Sequence, residues 1–363
     1  MPEPSLYLQA MGAAAIVSAL CVLVLAGVRR PASAARLNSA CVLGLGLGLA
    51  AGYHALTWRW AWPPVHGLDR FLTIVIPAVL GIELIAGFQC VPRWVAWCLR
   101  MGLAVTTPRI LLQGSVYLSG PGSDWTLWQT GAGLAVCGAL LAGLWGLLGR
   151  LFERSPGVSI PLALCLTTQC AGLTVMMAGY IKGGAAAFPL AAALLATALG
   201  ARLAAPRSGV PVILGIGVVG LFGLLFIGRF FGRLPTDSAL AMLIAPLLCW
   251  ATEAPLLRHR KPWFVGSLRL ALVAIPLVVV LAVAKRNFDR DMAPLLGKDL
   301  APTSHFQSRH RTELAMVPCP SADGHSPQLP CTRAQHTRNT SFRARPAYTA
   351  RGGIVGRSDS ESE

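Results

Sequence analysis

The chain has 363 residues, of which 54% are hydrophobic and only 13% are charged, whereas about a quarter of the residues in a soluble domain are charged. Its formal net charge is +16, but the basic residues lie in short runs between apolar stretches, which is typical of membrane topology and not of a phosphate-binding face. The composition therefore predicts an integral membrane protein whose partner is the lipid bilayer, and it argues against nucleic acid as a partner.

Ten apolar stretches follow one another along residues 6–285, and each is long enough to cross about 30 Å of hydrocarbon as a helix. They cover 6–28, 38–56, 71–90, 94–118, 127–149, 158–180, 184–203, 210–232, 236–256 and 266–285. The stretches 94–118 and 184–203 meet this requirement for a membrane-crossing helix least well. Because a backbone in lipid must form its own hydrogen bonds, we expect helices and not strands. The predicted fold is all-α, a polytopic transmembrane helix bundle over residues 1–285.

The basic residues between the spans predict the orientation of this bundle. The connections after helices 1, 3, 5, 7 and 9 carry eleven Lys and Arg residues, and the connections on the opposite side carry five. Since cytoplasmic loops are enriched in Lys and Arg, both termini should face outward. However, Lys285, Arg286 and Arg290 follow the last span and favour the cytoplasm, so the side of the C-terminal tail stays open. Only four of the 31 basic residues are Lys, which suggests a GC-rich gene and favours a bacterial inner membrane.

The last 78 residues, 286–363, differ from the rest of the chain. They are rich in Arg, Ser, Pro and Thr and lack apolar periodicity, so we expect a disordered polar tail. Cys319, His325, Cys331 and His336 carry metal-ligating atoms, but their spacing matches no compact zinc pattern. We therefore expect no metal, and a disulfide between Cys319 and Cys331 is the alternative if the tail lies outside the cell.

The glycines inside the spans predict helix packing. GIGVVG at residues 215–220 satisfies the G-x-G-x-x-G pattern of dinucleotide-binding proteins. That pattern requires a crossover helix with one solvated side, and this segment is apolar all round. Close packing through small residues explains these glycines, and it also explains Gly44, Gly48 and Gly52 along one stripe of helix 2. We expect no bound cofactor.

Two charges at membrane depth face each other across one predicted hairpin. Glu83 lies seven residues before the end of helix 3, and counting seven residues into helix 4 reaches the level of Arg100. This register predicts a buried ion pair that joins the two helices. The functional alternative is that Glu83 takes up and releases a proton while Arg100 holds an anionic group.

A second hairpin resembles the first. RWVAWCLRMGLAV at 93–105 aligns with PWFVGSLRLALVA at 262–274 with an offset of 169, which matches Arg100 with Arg269. Glu253 then falls one position from the equivalent of Glu83. Shared hairpin chemistry with a snorkelling arginine explains the match, and an internal repeat is the alternative.

The outer half of the bundle carries polar residues as well. Arg109 follows Pro108 and should lie about nine residues from the outer end of helix 4, with no carboxylate at its level. Intramembrane charges are costly and often functional. The candidate solute and proton pathway comprises Glu83, Arg100, Arg109, Gln113 and Gln169.

These residues support two hypotheses from different classes. The first is a secondary-transporter-like protein for a small, anionic solute. The second is a non-catalytic membrane scaffold or complex subunit, in which the same charges only hold helices together. We expect no enzymatic activity, because the short loops leave no room for a soluble catalytic domain and only Asp69 and His66 would support an enzyme at the outer face.

Overall fold

In the computed structural model, the described residues are 3–27, 34–58, 62–88, 90–115, 118, 126–155, 157–205, 211–253 and 262–296. Every regular element in these ranges is a helix. The α-helices are α1 (Pro4–Gly27), α2 (Ala34–Ala55), α3 (Gly67–Arg70), α4 (Ile76–Ala86), α5 (Arg93–Leu112), α6 (Leu127–Arg154), α7 (Ser159–Met177), α8 (Ile181–Ala185), α9 (Ala187–Ala204), α10 (Val212–Phe231), α11 (Thr236–Ile244) and α12 (Pro262–Leu296).

Eight helical spans in the described ranges are long and apolar enough to cross a membrane, counting α8 and α9 as one. The other two expected spans are also helical, but the type of helix changes along them. A π-helix, Phe71–Val75, joins α3 to α4, and a 3-10 helix, Ala245–Glu253, continues α11. At 1.5 Å per α-helical and about 2.0 Å per 3-10 residue, each passage is about 30 Å long. The predicted all-α bundle with about ten passages is confirmed.

A proline accompanies each change of helix type. Pro77 is the second residue of α4, directly after the π-helix, and Pro246 is the second residue of the 3-10 helix. Proline has no N–H and cannot donate the regular i to i−4 hydrogen bond, so the ladder of hydrogen bonds is interrupted there.

The two spans that met the criteria least well each contain a helix long enough to cross a membrane. The first ends at Leu112 and not at residue 118, because Gln113 leaves the helical conformation and Gly114 has a φ of +69°. Such a positive φ is available to glycine at little cost and terminates a helix. The second, Ile181–Ala204, is long enough to cross despite the short turn at Ala186.

Glycine stripes bring neighbouring helices into close contact. A Cβ on Gly44 would lie 2.8 Å from Val22 Cγ2, and a Cβ on Gly52 would lie 2.7 Å from Pro189 Cβ and 2.9 Å from Ala14 Cβ. Therefore α2 packs against α1 in the antiparallel direction, with the start of α9 beside its end. The predicted packing role of these glycines is confirmed.

Helix α10 lies at the centre of the bundle and is buried along nearly all of its length. A Cβ on Gly217 would meet Leu164 of α7 at 3.1 Å, and one on Gly220 would meet Leu190 of α9 at 2.6 Å. No side of this helix is solvated, so the glycine pattern serves packing, as the sequence predicts.

The last helix extends further than its apolar pattern predicts. Helix α12 continues to Leu296, eleven residues beyond the expected boundary at residue 285. The segment after Lys285 contains no glycine and no proline before Pro294, and Lys285 and Asp289 stand at the i, i+4 spacing that favours a solvated helix. The remaining tail, including its metal and disulfide candidates, lies outside the described residues.

Candidate functional site

The predicted ion pair between Glu83 and Arg100 is present in the structure. Arg100 Nε donates to Glu83 Oε1 at 2.9 Å, and Arg100 Nη2 donates to Oε2 at 2.7 Å. The Glu83 side chain is 1% exposed and that of Arg100 is 16% exposed. Two parallel charge-assisted hydrogen bonds of this kind give the pair a fixed geometry.

Neighbouring helices shape the space around this pair. The Arg100 guanidinium lies over the rings of Trp97 and Trp145, 5.4 and 5.7 Å from their centroids. A Cβ on Gly215 of α10 would contact Glu83 Oε1 and would lie 2.9 Å from Trp145 Cζ2. Glycine at position 215 therefore provides the room that the carboxylate occupies.

A second buried pair joins the second hairpin. Arg269, 5% exposed, donates from Nη2 to Glu253 Oε1 at 2.6 Å. Three hydroxyls accept further hydrogen bonds from the same guanidinium, those of Thr252 at 2.7 Å, Ser159 at 3.1 Å and Ser155 at 2.9 Å. The sequence interpretation matched Arg269 with Arg100 but did not predict this cluster.

Both pairs lie at the same end of the bundle, where α1, α4, α6 and α9 end and the five more basic connections begin. We call it the basic end. Helix α6 links the pairs, because Trp145 packs on Arg100 and the carbonyl of Leu147 accepts a hydrogen bond from Trp250 Nε1 at 3.2 Å. Two buried ion pairs thus join four helical passages at the basic end.

The opposite end of the bundle contains a cavity of about 960 Å³, which we call the cleft. Its walls come from the starts of α1, α3 and α8 and from the segments that follow α2, α5 and α7. Its polar lining includes His66, Asp69, Arg70, Gln113, Tyr180 and Lys182.

The charged side chains of the cleft are not paired with one another. Arg70 Nη2 donates to the carbonyl of Val65 at 3.1 Å, and the guanidinium lies beside Gly114. Among the described residues, neither Arg70, Lys182 nor Asp69 takes part in an ion pair. The cleft therefore holds two cations and one carboxylate, none of them in an ion pair among the described residues.

Tyr180 lies in the turn between α7 and α8 and borders the same space. Burial, and to a lesser extent the negative charge of Asp69, raises the pKa of Tyr180 above its ordinary value of 10.0. Its hydroxyl consequently stays protonated at neutral pH and is available as a hydrogen-bond donor in the cleft.

The five residues predicted from the sequence do not converge on one site. Glu83 and Arg100 lie at the basic end, and Gln113 lines the cleft at the opposite end. Gln169 is half-buried in the middle of α7, and its Oε1 has no hydrogen-bond partner among the described residues.

Arg109 has a simpler environment than the sequence predicts. Because α5 ends at Leu112, Arg109 lies three residues from the helix end, about 4.5 Å along the axis, and not nine residues deep. Its side chain is exposed and does not line the cleft. Arginine near a helix end can reach the interfacial region, so this charge does not require an internal partner.

Comparisons with family models, with curated proteins and with solved structures find no match for this chain. Within the described residues, no group of three or more His, Cys, Asp or Glu side chains is arranged to hold a metal ion. The chemistry of the molecule must therefore be inferred from the helices and from the cleft.

The sequence interpretation missed Arg70, Tyr180 and Lys182 as members of one site. Arg70 ends α3, whereas Tyr180 and Lys182 belong to the connection between α7 and α9, at the same end of the bundle. The predicted topology already places these segments on the same side of the membrane. Comparing the polar residues of all connections on that side would therefore have grouped Arg70, Tyr180 and Lys182.

Proposed function

We propose that this multi-pass integral membrane protein binds a small anionic solute in the cleft and transports it across the membrane. The observation that carries this proposal is the presence of two unpaired cations, Arg70 and Lys182, in one cavity of about 960 Å³. Cavities of about 300–1,000 Å³ are typical of small-molecule sites.

The charge balance of the cleft supports an anion. Arg70 and Lys182 exceed the single carboxylate of Asp69 by one positive charge. Arg70 presents the planar donors that bind carboxylates and phosphates in a two-pronged manner. Gln113 and the protonated Tyr180 supply neutral donors in the lining of the same cavity.

The other end of the bundle supports transport rather than simple binding. The cleft lies at one end of the bundle, whereas the two Glu–Arg pairs join helices at the basic end. Alternating access requires a solute site whose two ends open in turn, so a site at one end with the helices joined at the other fits one state of such a transporter. In this proposal, Glu83 and Arg100 keep the basic end closed.

Uptake by the purified protein in liposomes tests the proposal. Labelled phosphate, sulfate and acetate are presented to the wild type, to Arg70→Gln/Lys182→Gln, and to Arg109→Gln as the matched control. We expect uptake of at least one anion by the wild type and by Arg109→Gln, and at least a tenfold loss in the double variant.

The same experiment separates transport from the alternative role as a scaffold. The four hydrogen bonds of Arg269 favour that alternative, because all of them join the guanidinium to residues of neighbouring segments and so hold helices together. A wild-type protein that takes up none of the three anions, or a double variant as active as the wild type, would refute transport through the cleft.

A further inference from the structure

The two hairpins correspond more closely than their aligned segments indicate. With offsets of 168 to 170, the matched pairs are Asp69 with Asp237, Pro77 with Pro246, Glu83 with Glu253, Trp94 with Trp263, and Arg100 with Arg269. In both hairpins the first passage changes helix type at its proline, and its glutamate binds the arginine of the second helix. These features favour an internal repeat over coincidental hairpin chemistry.

A second cavity occupies the corresponding place in the second hairpin. It has a volume of about 730 Å³ and lies between the residues around the start of α11, Arg233–Ser238, and the end of α12, Ala284–Met292. The cleft likewise lies between the start of the first hairpin, at His66–Arg70, and the residues after its second helix, Gln113–Ser115. With the offset of 169, Ser115 of the cleft corresponds to Ala284 of the second cavity.

The two cavities carry the same set of charges. The second cavity is lined by Arg233, Arg290 and Asp291, two cations and one carboxylate, as in the cleft. Among the described residues, none of these three side chains has an ion-pair partner. The backbone N–H of Arg233 donates to the carbonyl of Ala178 at 3.0 Å, which holds the backbone of residue 233 at the cavity wall.

The two cavities are also neighbours. Phe231, at the end of α10, lines both of them. A Cβ on Gly67 would lie 2.7 Å from Phe231 Cε2, so the ring is packed against the first residue of α3. The turn that follows α7 borders both spaces, with Tyr180 in the cleft and Gly179 in the second cavity.

We propose that the second cavity is a second anion-binding site, which binds a phosphate-type oxyanion through Arg233 and Arg290. Asn287 and Ser238 add neutral polar groups to the lining of the same cavity. The same chemistry is offered by a free oxyanion and by the phosphate of a phospholipid headgroup. The inference rests on the repeat and on this cavity, and it goes beyond transport through the cleft.

Protection of an introduced thiol from modification tests the second site. Ala284→Cys places a thiol in the second cavity, and Ser115→Cys places one at the equivalent position of the cleft. A neutral methanethiosulfonate reagent labels each thiol in the detergent-purified full chain, and site-resolved mass spectrometry separates these thiols from the native cysteines. Labelling is compared with and without inorganic phosphate at constant ionic strength, and with and without phosphatidylglycerol in the micelles.

We expect phosphate or phosphatidylglycerol to slow labelling of Ala284→Cys at least threefold, and Arg233→Gln/Arg290→Gln to remove this protection. Protection by phosphate identifies a free oxyanion as the ligand, and protection by phosphatidylglycerol alone identifies a lipid headgroup. Failure of both to protect, or undiminished protection in the double variant, would overturn the proposal.

Two further arms keep the result decisive. Arg70→Gln/Lys182→Gln changes only the cleft and should leave the protection of Ala284→Cys unchanged. Labelling of Ser115→Cys tests the cleft separately. Failure of one site can therefore be distinguished from failure of the other. If Arg233→Gln/Arg290→Gln does not fold, an anionic and a cationic methanethiosulfonate are compared on Ala284→Cys alone. Each rate is divided by the rate of the same reagent with a free thiol. A higher relative rate for the anionic reagent supports the proposal, and an equal or lower relative rate refutes it.

Discussion

Replacement of Arg100 by glutamine should destabilise the protein far more than replacement of an exposed arginine. The change removes two hydrogen bonds, of 2.9 and 2.7 Å, from a carboxylate that is 1% exposed. A buried charge that loses its partner costs about 3–5 kcal/mol. Arg109→Gln, at the exposed end of the same helix, should cost less than about 0.5 kcal/mol.

Replacement of Glu83 by glutamine should lower the free energy of unfolding less than replacement of Arg100. In Glu83→Gln, Arg100 keeps its contacts with the rings of Trp97 and Trp145, and its side chain is 16% exposed. We expect a loss of about 1–3 kcal/mol, and the double variant should be less destabilised than the sum of the single variants by about 2 kcal/mol.

Reversible unfolding in mixed detergent, followed by tryptophan fluorescence, measures these free energies. A cost for Arg100→Gln no larger than that for Arg109→Gln would refute the reasoning. So would a coupling energy near zero, because it would mean that the two buried charges do not depend on each other.

Three further predictions concern the same structural features. Gly215→Ala should lower the unfolding midpoint, because its methyl group would contact the Glu83 carboxylate; an unchanged midpoint would contradict the packing described. Glu253→Gln should cost less than Arg100→Gln, because three hydroxyls still accept hydrogen bonds from the arginine of that cluster; unfolding in the same detergent tests this order. Asp69→Asn should lower the pKa of Tyr180, because the negative charge of Asp69 raises it. The titration of Tyr180 is followed by tyrosinate absorbance, as the difference between a protein with Tyr180 and the same protein with Tyr180→Phe. A shift of this titration to higher pH in Asp69→Asn would contradict the prediction.

The same tyrosine predicts the dependence of stability on alkaline pH. The pKa of Tyr180 is higher in the folded protein than its ordinary value of 10.0. Above pH 10 the unfolded chain therefore loses this proton first, and stability should fall as the pH rises further. Tyr180→Phe should reduce that fall, whereas a decline of equal size in the variant would exclude this tyrosine as a cause.

Local register explains what the sequence predicted correctly. A short turn joins α4, which carries Glu83, to α5, which carries Arg100. Counting residues in both directions from that turn placed the two side chains at one level. The same counting failed for Arg109, because the end of α5 depends on the positive φ of Gly114 and not on hydropathy. The helix therefore ends six residues earlier than predicted, at Leu112 and not at residue 118, and this changed the apparent depth of Arg109.

Tertiary packing explains what the sequence did not predict. Arg70 lines the same cleft as Tyr180 and Lys182 because α3 and the connection between α7 and α9 come together, and no local pattern relates these two segments. Glu253 lies in a 3-10 helix, where the spacing of 3.6 residues per turn no longer sets the depth. The Glu253 and Arg269 pair was therefore visible in the sequence only through the offset between hairpins.

The charge selectivity of a thiol in the cleft tests the central claim most directly, because it requires no knowledge of the solute. The rates at which anionic and cationic methanethiosulfonates label Ser115→Cys are compared in the wild-type background and in Arg70→Gln/Lys182→Gln. One unit of charge at about 7 Å in water contributes about 0.6 kcal/mol, and the two reagents differ by two charges. Relative to the rates of the two reagents with a free thiol, the account predicts a several-fold preference for the anionic reagent, which the double variant abolishes or reverses because Asp69 remains. Equal relative rates, or a preference that persists without both cations, would contradict an anion-binding cleft.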